Sequence, residues 1–264
     1  MQDGFHIFEG VSRAGVVCLF VAYFASYLIK GVVGLGALTP AILFGSFIVG
    51  PRHSVLLALT ANALSQVQFI PQAIRDGQWK IARKVIGANF AGAAVGIWVF
   101  GRLDAGWMTL VLGATLGLLS LVDQSNRASQ LIGRIKLDSR FVILCISGAA
   151  GFISGVAGAG GLTFLAIYLR HLCPDPRTLR GTILLLGMLF VGWRALVFAT
   201  TGFIDAQVLG EAALLLPFAV LGGWLGTRLY RFLPATHFYA FFKGVVLLSA
   251  VGLIYKGLRA VISE

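Results

Sequence analysis

Long apolar runs with hardly any acidic residues constrain this chain more than any other feature of its sequence. Of its 264 residues, 58% are hydrophobic and 12% are charged, and the mean hydropathy is +0.90. Most runs approach the ~20 residues that a helix needs to cross a bilayer. They cover residues 11–33, 37–49, 53–74, 84–101, 105–122, 141–157, 161–173, 177–200, 206–229 and 235–256. Because lipid satisfies no backbone hydrogen bonds, the sequence predicts an all-α polytopic membrane protein.

A formal net charge of +11 accompanies these runs. In a soluble protein this charge would indicate nucleic acid, but most lysines and arginines here lie in short connections between apolar runs, where such residues fix topology. We therefore expect no nucleic-acid partner, and we expect the basic stretches 75–84 and 127–140 to be cytoplasmic loops. No signal peptide is expected ahead of the first run, since Asp3 and Glu9 occupy the place of a basic n-region.

The cysteines and histidines form no recognisable reactive site. Cys18, Cys145 and Cys173 are scattered through the apolar runs without CxxC spacing, as expected for small residues in packed helices. The four histidines fall at segment ends, and the sequence has no HExxH motif, paired carboxylates or GxSxG elbow. We therefore expect no enzyme activity, no cofactor and no metal site.

One glycine-rich motif occurs twice inside the apolar runs, as KGVVGLGALTP at 30–40 and SGVAGAGGLTF at 154–164. The shared positions are Gly31, Val32, Gly34, Gly36, Leu38 and Thr39 in the first copy, and Gly155, Val156, Gly158, Gly160, Leu162 and Thr163 in the second. Helix breaks inside a bilayer are tolerated only where protein or water satisfies the opened backbone. The two predicted breaks are therefore the first candidates for a transport site.

The repetition extends beyond the glycine motif. Pro51 and Gly77 correspond to Pro176 and Gly202 at one offset, since 176 − 51 and 202 − 77 are both 125. Further along, the pair Gly92 and Gly96 matches Gly222 and Gly226. We predict two homologous transmembrane repeats, 1–126 and 139–264, joined by a basic cytoplasmic linker at 127–138.

The number of crossings in each repeat stays open. As a helix, residues 37–49 would rise only about 20 Å, against a hydrocarbon core of ~30 Å. If this segment dips back, each half crosses four times and the halves are parallel, whereas five crossings make them inverted. The distribution of lysine and arginine favours inversion, although it leaves Lys256 and Arg259 outside. We prefer inverted repeats of four to five helices with broken or re-entrant glycine-rich helices.

The glycine motifs have the chemistry of an anion site. Their glycines leave amide groups uncovered, and Thr39 and Thr163 are expected to cap the short helices that follow. A helix start at mid-membrane attracts anions through its amide donors and the positive end of its dipole. By contrast, the pairs Gly92 and Gly96 or Gly222 and Gly226 have the small-xxx-small spacing that lets helices approach closely.

Polar side chains within the runs also indicate an anionic substrate. Aspartate and glutamate are nearly missing from the runs, and Asp205 and Glu211 lie at the start of one, so we expect neither to be essential for transport. The runs instead hold donors suited to an oxyanion, namely Lys30, Arg194, Lys243, Asn62, Gln66, Gln68, Asn89 and Thr182. Each has a structural alternative: the cations can snorkel to the membrane surface, and the amides can bond between helices.

The predicted substrate-binding set combines both sources. It comprises Lys30, Gly34, Gly36, Thr39, Asn62, Gln66, Gly158, Gly160, Gly161, Thr163 and Arg194.

At these residues the chain resembles the sulfite exporter TauE/SafE family, also called the toluene-sulfonate uptake permease family. The resemblance covers nearly the whole length, with two related halves that each open on a glycine-rich break and continue through a proline-led turn at Pro51 or Pro176. It implies a multi-pass carrier of the bacterial inner membrane that moves sulfite, sulfonates or related small organic anions. The family usually has three consecutive glycines, whereas Gly36 here precedes Ala37, so the substrate stays open.

Taken with the resemblance, the residues predict a transporter of a small sulfur oxyanion, foremost sulfite, that works by alternating access with the anion bound at the paired breaks. Its expected partners are this anion and the lipid bilayer, and a homodimer stays open. Two alternatives remain at this point. One is a carrier of organosulfonates or small organic carboxylates, and the other is a non-transporting membrane assembly partner.

Overall fold

The computed structural model describes residues 8, 10–33, 36–122, 139–173, 175–229 and 235–262. Every regular element in these residues is helical. The first half contains α1 (Arg13–Val33), α2 (Leu38–Ile48), α3 (Pro51–Ser65), a 3-10 turn (Gln66–Phe69), α4 (Ile70–Asp76), α5 (Trp79–Phe100) and α6 (Ala105–Val122). The second half contains α7 (Arg140–Ala157), α8 (Gly161–Leu172), α9 (Pro176–Thr200), α10 (Ala206–Leu229) and α11 (Ala235–Ile262). The predicted linker 127–138 lies outside the described residues.

Five helical stretches are long and apolar enough to cross a membrane: α1, the continuous stretch Pro51–Asp76, α7, α9 and α10. The stretch Pro51–Asp76 joins α3, the 3-10 turn and α4 into one span of 26 residues. Large apolar side chains such as Phe141 and Leu248 point outwards, with exposed fractions of 74% and 76%, as expected of surfaces that contact lipid. The protein is therefore a multi-pass helical membrane protein.

Residues that match between the halves occupy the same structural positions. Pro51 opens α3 and Pro176 opens α9, where proline is favoured because its missing N–H would have no partner in the first turn. Gly77 follows the end of α4, and Gly202 follows α9 with a left-handed φ of +75°. Residues whose numbers differ by 125 thus occupy equivalent helix termini in the two halves.

The glycine pairs bring helices of the two halves into close contact. A β-carbon on Gly92 would collide with the backbone of Gly148 and Phe152, and one on Gly96 would lie 2.9 Å from the Cα of Gly155. Residue numbers increase in the same direction on both helices along this interface, so α5 and α7 run parallel. The expectation that this small-xxx-small spacing permits close approach is confirmed.

The matching pair packs α10 against α1 in the same way. A β-carbon on Gly222 would meet the carbonyl of Phe24, and one on Gly226 would meet Leu28 and Gly31. Residue numbers again increase in the same direction on both helices, so α1 and α10 run parallel. In each half, the helix that follows the proline-led span therefore packs against the first helix of the other half.

The short helix α2 folds back along α1. A β-carbon on Gly15, near the start of α1, would lie 3.2 Å from Ile48 at the end of α2, and one on Gly45 would lie 3.9 Å from Leu19. The end of α2 therefore returns to the end of the molecule where α1 begins. We call this end, around Val11, Val49, His53 and Glu211, the first face.

The opposite end of the molecule, the second face, is formed around Asp76, Gln78, Arg177 and Thr182. The Arg177 guanidinium lies 3.1 Å from the Asp76 carboxylate, and the Gln78 N–H donates to the Thr182 hydroxyl at 3.1 Å. The stretch Pro51–Asp76 thus runs from the first face to the second, and α9 runs back again.

Candidate functional site

A cavity lies inside the helix bundle where the segments that open α2 and α8 meet. Its volume is about 60 Å³, and since one water needs about 10–15 Å³, it has room for a small polyatomic ion. α3 and α9 form the side walls. The lining residues are Lys30, Gly36, Ala37, Leu38, Thr39, Asn62, Gln66, Ser154, Ala159, Gly160, Leu162, Thr163, Leu184, Gly187, Phe190, Val191 and Arg194.

Lys30 reaches the cavity from the last turn of α1 and is 5% exposed. Its Nζ donates to Asn62 Oδ1 at 2.7 Å and to Gln66 Oε1 at 3.0 Å. The ring centroid of Phe69 lies 4.9 Å from the same Nζ. Since both hydrogen-bond partners are neutral amides, they orient the ammonium group without neutralising it.

Arg194 reaches the cavity from α9 and is 3% exposed. Its Nη1 donates to the carbonyls of Ser154 at 2.8 Å and Gly158 at 2.6 Å, in the last turn of α7 and just beyond it. A helix carboxyl end carries partial negative charge, which favours a cation there. Among the described residues, no hydrogen-bond partner faces the Arg194 Nε. Neither Arg194 nor Lys30 snorkels to the membrane surface, because both are buried inside the bundle.

Positive charge therefore dominates the cavity. The described lining residues include two cations and no carboxylate. A buried charge is strongly unfavourable unless it is paired or fully hydrogen-bonded. A small anion between Lys30 and Arg194 would supply the missing counter-charge, so these lining residues could hold an anion.

Glycine backbone shapes the two helix starts. Gly36 and Gly160 line the cavity with φ of +97° and +91°, and Gly158 has φ of +71°. These left-handed values turn the chain from α1 into α2 and from α7 into α8. A side chain at these positions would strain the turn.

The prediction that Thr39 and Thr163 cap the short helices was wrong. α2 is preceded by Ala37 and α8 by Gly160, and neither start has a side-chain capping bond. The helices begin ahead of the threonines, which places Thr39 and Thr163 inside the first turn and on the cavity wall. The positive ends of both helices therefore border the cavity without a side-chain cap.

With this geometry established, comparison with known families identifies the chain. The sequence pattern of the sulfite exporter TauE/SafE family matches residues 18–253. The chain belongs to this family. Searches of curated proteins and of solved structures find no match. The matched range includes every cavity-lining residue, and the family is one of membrane transporters for sulfite and related sulfur anions.

Most residues that the sequence predicted for substrate binding do line the cavity. They are Lys30, Gly36, Thr39, Asn62, Gln66, Gly160, Thr163 and Arg194. Gly158 lies beside Val55 and contributes its carbonyl to Arg194. Gly161 is packed against the Ala150 carbonyl and serves the close approach of α7 and α8. Gly34 and the side chain of Lys243 lie outside the described residues.

Three other predicted donors lie away from the cavity wall. The Asn89 amide donates to the Ser147 carbonyl at 3.2 Å, which makes it an interhelical bond between α5 and α7. The Thr182 hydroxyl donates to the Thr178 carbonyl in its own helix. Gln68 lies near Gly223 of α10 rather than on the cavity wall. Asn89 thus bonds between helices, whereas Thr182 bonds within its own helix and accepts from the Gln78 N–H. The Gln68 amide nitrogen has no hydrogen-bond partner among the described residues.

Sequence reasoning missed the apolar wall of the cavity. Leu184, Gly187 and Val191 precede Arg194 by 10, 7 and 3 residues, which is the spacing of one helix face. That periodicity was the available signal. Ser154, Leu162 and Phe190 complete the wall from positions that the glycine motif and α9 supply.

Proposed function

We propose that this chain transports a small sulfur oxyanion, foremost sulfite, and binds it in the cavity between the two glycine segments. One observation carries the proposal: Lys30 and Arg194 are buried at one cavity, and no carboxylate is among its described lining residues. The family provides the class of substrate. The cavity volume of about 60 Å³ favours sulfite over larger organosulfonates.

The binding mode combines charge with neutral donors. Lys30 and Arg194 attract the anion, and the Thr39 and Thr163 hydroxyls together with the amides that open α2 and α8 donate hydrogen bonds. Asn62 and Gln66 hold the Lys30 ammonium in place. An oxyanion with several acceptor atoms can accept hydrogen bonds from both halves at once.

Transport by alternating access requires the two halves to present the site to opposite faces, and an inverted repeat would provide this symmetry. α1 runs parallel to α10, which starts at the first face, whereas α7 runs parallel to α5, which starts at the second. α6 and α11 occupy equivalent places in the two halves and pack antiparallel, with Gly113 beside Ile254 and Gly257 beside Leu110. Parallel repeats would run them in the same direction. These contacts support inversion.

The same arrangement supports a bacterial inner-membrane protein with its second face in the cytoplasm. The basic stretch 75–84 and Arg177 lie at the second face, and cytoplasmic connections are rich in lysine and arginine.

Thermal shift with purified protein tests the ligand class. Sulfite should raise the melting temperature in a saturable manner, because a ligand that binds only the folded state stabilises it. Sulfate, thiosulfate, taurine and lactate serve as the comparison series. Stabilisation by taurine or lactate with none by sulfite would make a larger organic anion the proposed substrate. Uptake into sealed vesicles separates a carrier from a non-transporting assembly partner.

A further inference from the structure

A buried carboxylate at the first face takes no part in the proposed anion site. Glu211, in the second turn of α10, is 1% exposed. Its Oε2 lies 2.5 Å from Nε2 of His53 on α3. Its Oε1 accepts from the Phe8 N–H at 3.1 Å and from Gln207 Nε2 at 3.0 Å. The carboxylate thus joins α10 of the second half to α3 and Phe8 of the first.

Water can reach this pair from one side. A cavity of about 320 Å³ at the first face is lined by His53, Gln207 and Glu211, together with Val11 and Val49. This volume is ample for water molecules. The His53 side chain is 29% exposed, whereas that of Glu211 is 1% exposed. A proton from solution therefore meets the imidazole first and the carboxylate behind it.

A line of side chains along α1 leads from this pair to the anion cavity. Tyr23 is fully buried, its hydroxyl has no hydrogen-bond partner in the part of the chain that the structure describes, and it lies within electrostatic range of Glu211. One turn further, Tyr27 stacks on Tyr23 with ring centroids 6.4 Å apart. The Tyr27 hydroxyl donates at 3.3 Å to Asn62 Oδ1, the same atom that accepts from Lys30 Nζ.

Neighbouring charged groups point elsewhere. The Arg52 guanidinium donates to the Gly101 carbonyl at 3.3 Å and lies 5.0 Å from the ring centroid of Phe203. The Asp205 carboxylate accepts from the Val208 N–H at 2.8 Å and caps α10. In the described part of the chain, the titratable groups that face Glu211 are therefore His53 from α3 and Tyr23 from α1.

We propose that Glu211 and His53 form a proton-binding site that couples proton movement to anion transport. Imidazole is the side chain whose charge ordinarily changes near neutral pH. One bound proton converts a carboxylate beside a neutral imidazole into an ion pair, which strengthens the contact of α3 with α10 at the first face. Tyr23, Tyr27 and Asn62 connect this change to Lys30. The inference rests on the proposed function, since it assigns the coupling site of that carrier.

Sulfite itself changes charge near neutral pH, so a pH-dependent flux in the native protein would not identify a protein site. The substrate's own titration is identical for every variant assayed at the same pH. A difference between variants therefore isolates the contribution of Glu211 and His53.

The experiment uses proteoliposomes and two readouts of radiolabelled sulfite. The first is exchange between equal sulfite concentrations at equal pH, and the second is net flux driven by a pH difference. Glu211→Gln should keep the exchange rate within about twofold of the native protein. In this variant, the acceleration of net flux by the pH difference should be about tenfold smaller than in the native protein. Asp205→Asn is the matched control, because it removes an acidic charge from the start of the same helix, and it should behave like the native protein. Tyr23→Phe should weaken the acceleration in part.

Retained acceleration in Glu211→Gln would overturn the proposal. If that variant fails to fold, His53→Gln decides the question in the same two readouts. A folded variant of either residue that loses exchange together with net flux also overturns it, since the pair would then serve transport in general. No sulfite exchange by the native protein would instead overturn the proposed function, so the two failures are distinguishable.

Discussion

At the scale of single residues, Lys30 and Arg194 hold their positive charges by different means. Lys30 is oriented by the side-chain amides of Asn62 and Gln66, whereas Arg194 is anchored by two backbone carbonyls at the end of α7. An anchored guanidinium is part of the fold. An ammonium held by neutral amides can turn towards a ligand, which makes Lys30 the sharper test of anion binding.

Lys30→Met should weaken sulfite binding far more than Lys30→Arg. Hydrogen bonds that involve a charged group contribute about 1.5–3 kcal/mol, so isothermal titration should show a loss of about tenfold or more in affinity. Lys84→Met is the matched control, because Lys84 is exposed on α5 and away from the cavity. Equal affinity in Lys30→Met and the native protein would exclude Lys30 from the anion site.

The residues of the site show what sequence reasoning can and cannot reach. Lys30 and Arg194 were predictable because cations in apolar runs are rare and expensive. Their partners were not, since the choice between snorkelling and burial depends on helices distant in sequence. The burial of Glu211 was hidden for the same reason: a position at the start of an apolar run does not reveal that His53 packs against it.

At the scale of elements, the paired helix starts decide where the cavity forms. α2 begins two residues after Gly36 and α8 one residue after Gly160, both glycines with left-handed φ, and both helices turn back along the helix that precedes them. Their existence follows from the repeated glycine motif. The motif did not reveal the first residues of these helices. Thr39 and Thr163 were predicted to be caps, whereas the helices begin ahead of them, at Leu38 and Gly161.

Gly36→Val and Gly160→Val should each reduce sulfite binding and transport while membrane insertion stays near normal. A left-handed conformation costs a residue with a β-carbon about 1–2 kcal/mol, and a β-branched side chain is among the worst suited to it. Vesicle uptake and titration measure the loss. Gly87→Val is the control, since Gly87 lies in α5 with ordinary φ and nothing within 4 Å of its β-carbon position. Full activity in both cavity variants would place the anion elsewhere.

At the scale of the whole molecule, the direction of the helices bears on topology more than their lengths do. The short rise of 37–49 left open whether this segment crosses. In the structure α2 returns to the first face, while the long helices α6 and α11 pack antiparallel. Because α1 and α2 together begin and end at the first face, α2 runs in the direction that the five-segment plan gives it, and that plan is the one with the proposed inversion. Run lengths could not give this result, because packing partners are set by contacts between the halves.

Single cysteines in a cysteine-free background should report this topology. We expect Gln78→Cys and Asp175→Cys to be modified from the cytoplasmic side only, and Arg102→Cys and Thr201→Cys from the outside only. The reason is that the first pair flanks the second face, whereas the second pair follows α5 and α9 to the first face. Modification of Asp175→Cys from the side opposite to Gln78→Cys would contradict the inverted arrangement.

Sulfite counterflow in proteoliposomes tests the central claim most directly, namely that an anion bound between the two glycine segments is carried across the membrane. Purified native protein should accumulate labelled sulfite when unlabelled sulfite is enclosed, with saturation at high concentration. Gly160→Val, reconstituted in the same amount, should lack this accumulation. Native protein that binds sulfite yet shows no more uptake than protein-free liposomes would contradict the account, and so would undiminished counterflow in Gly160→Val.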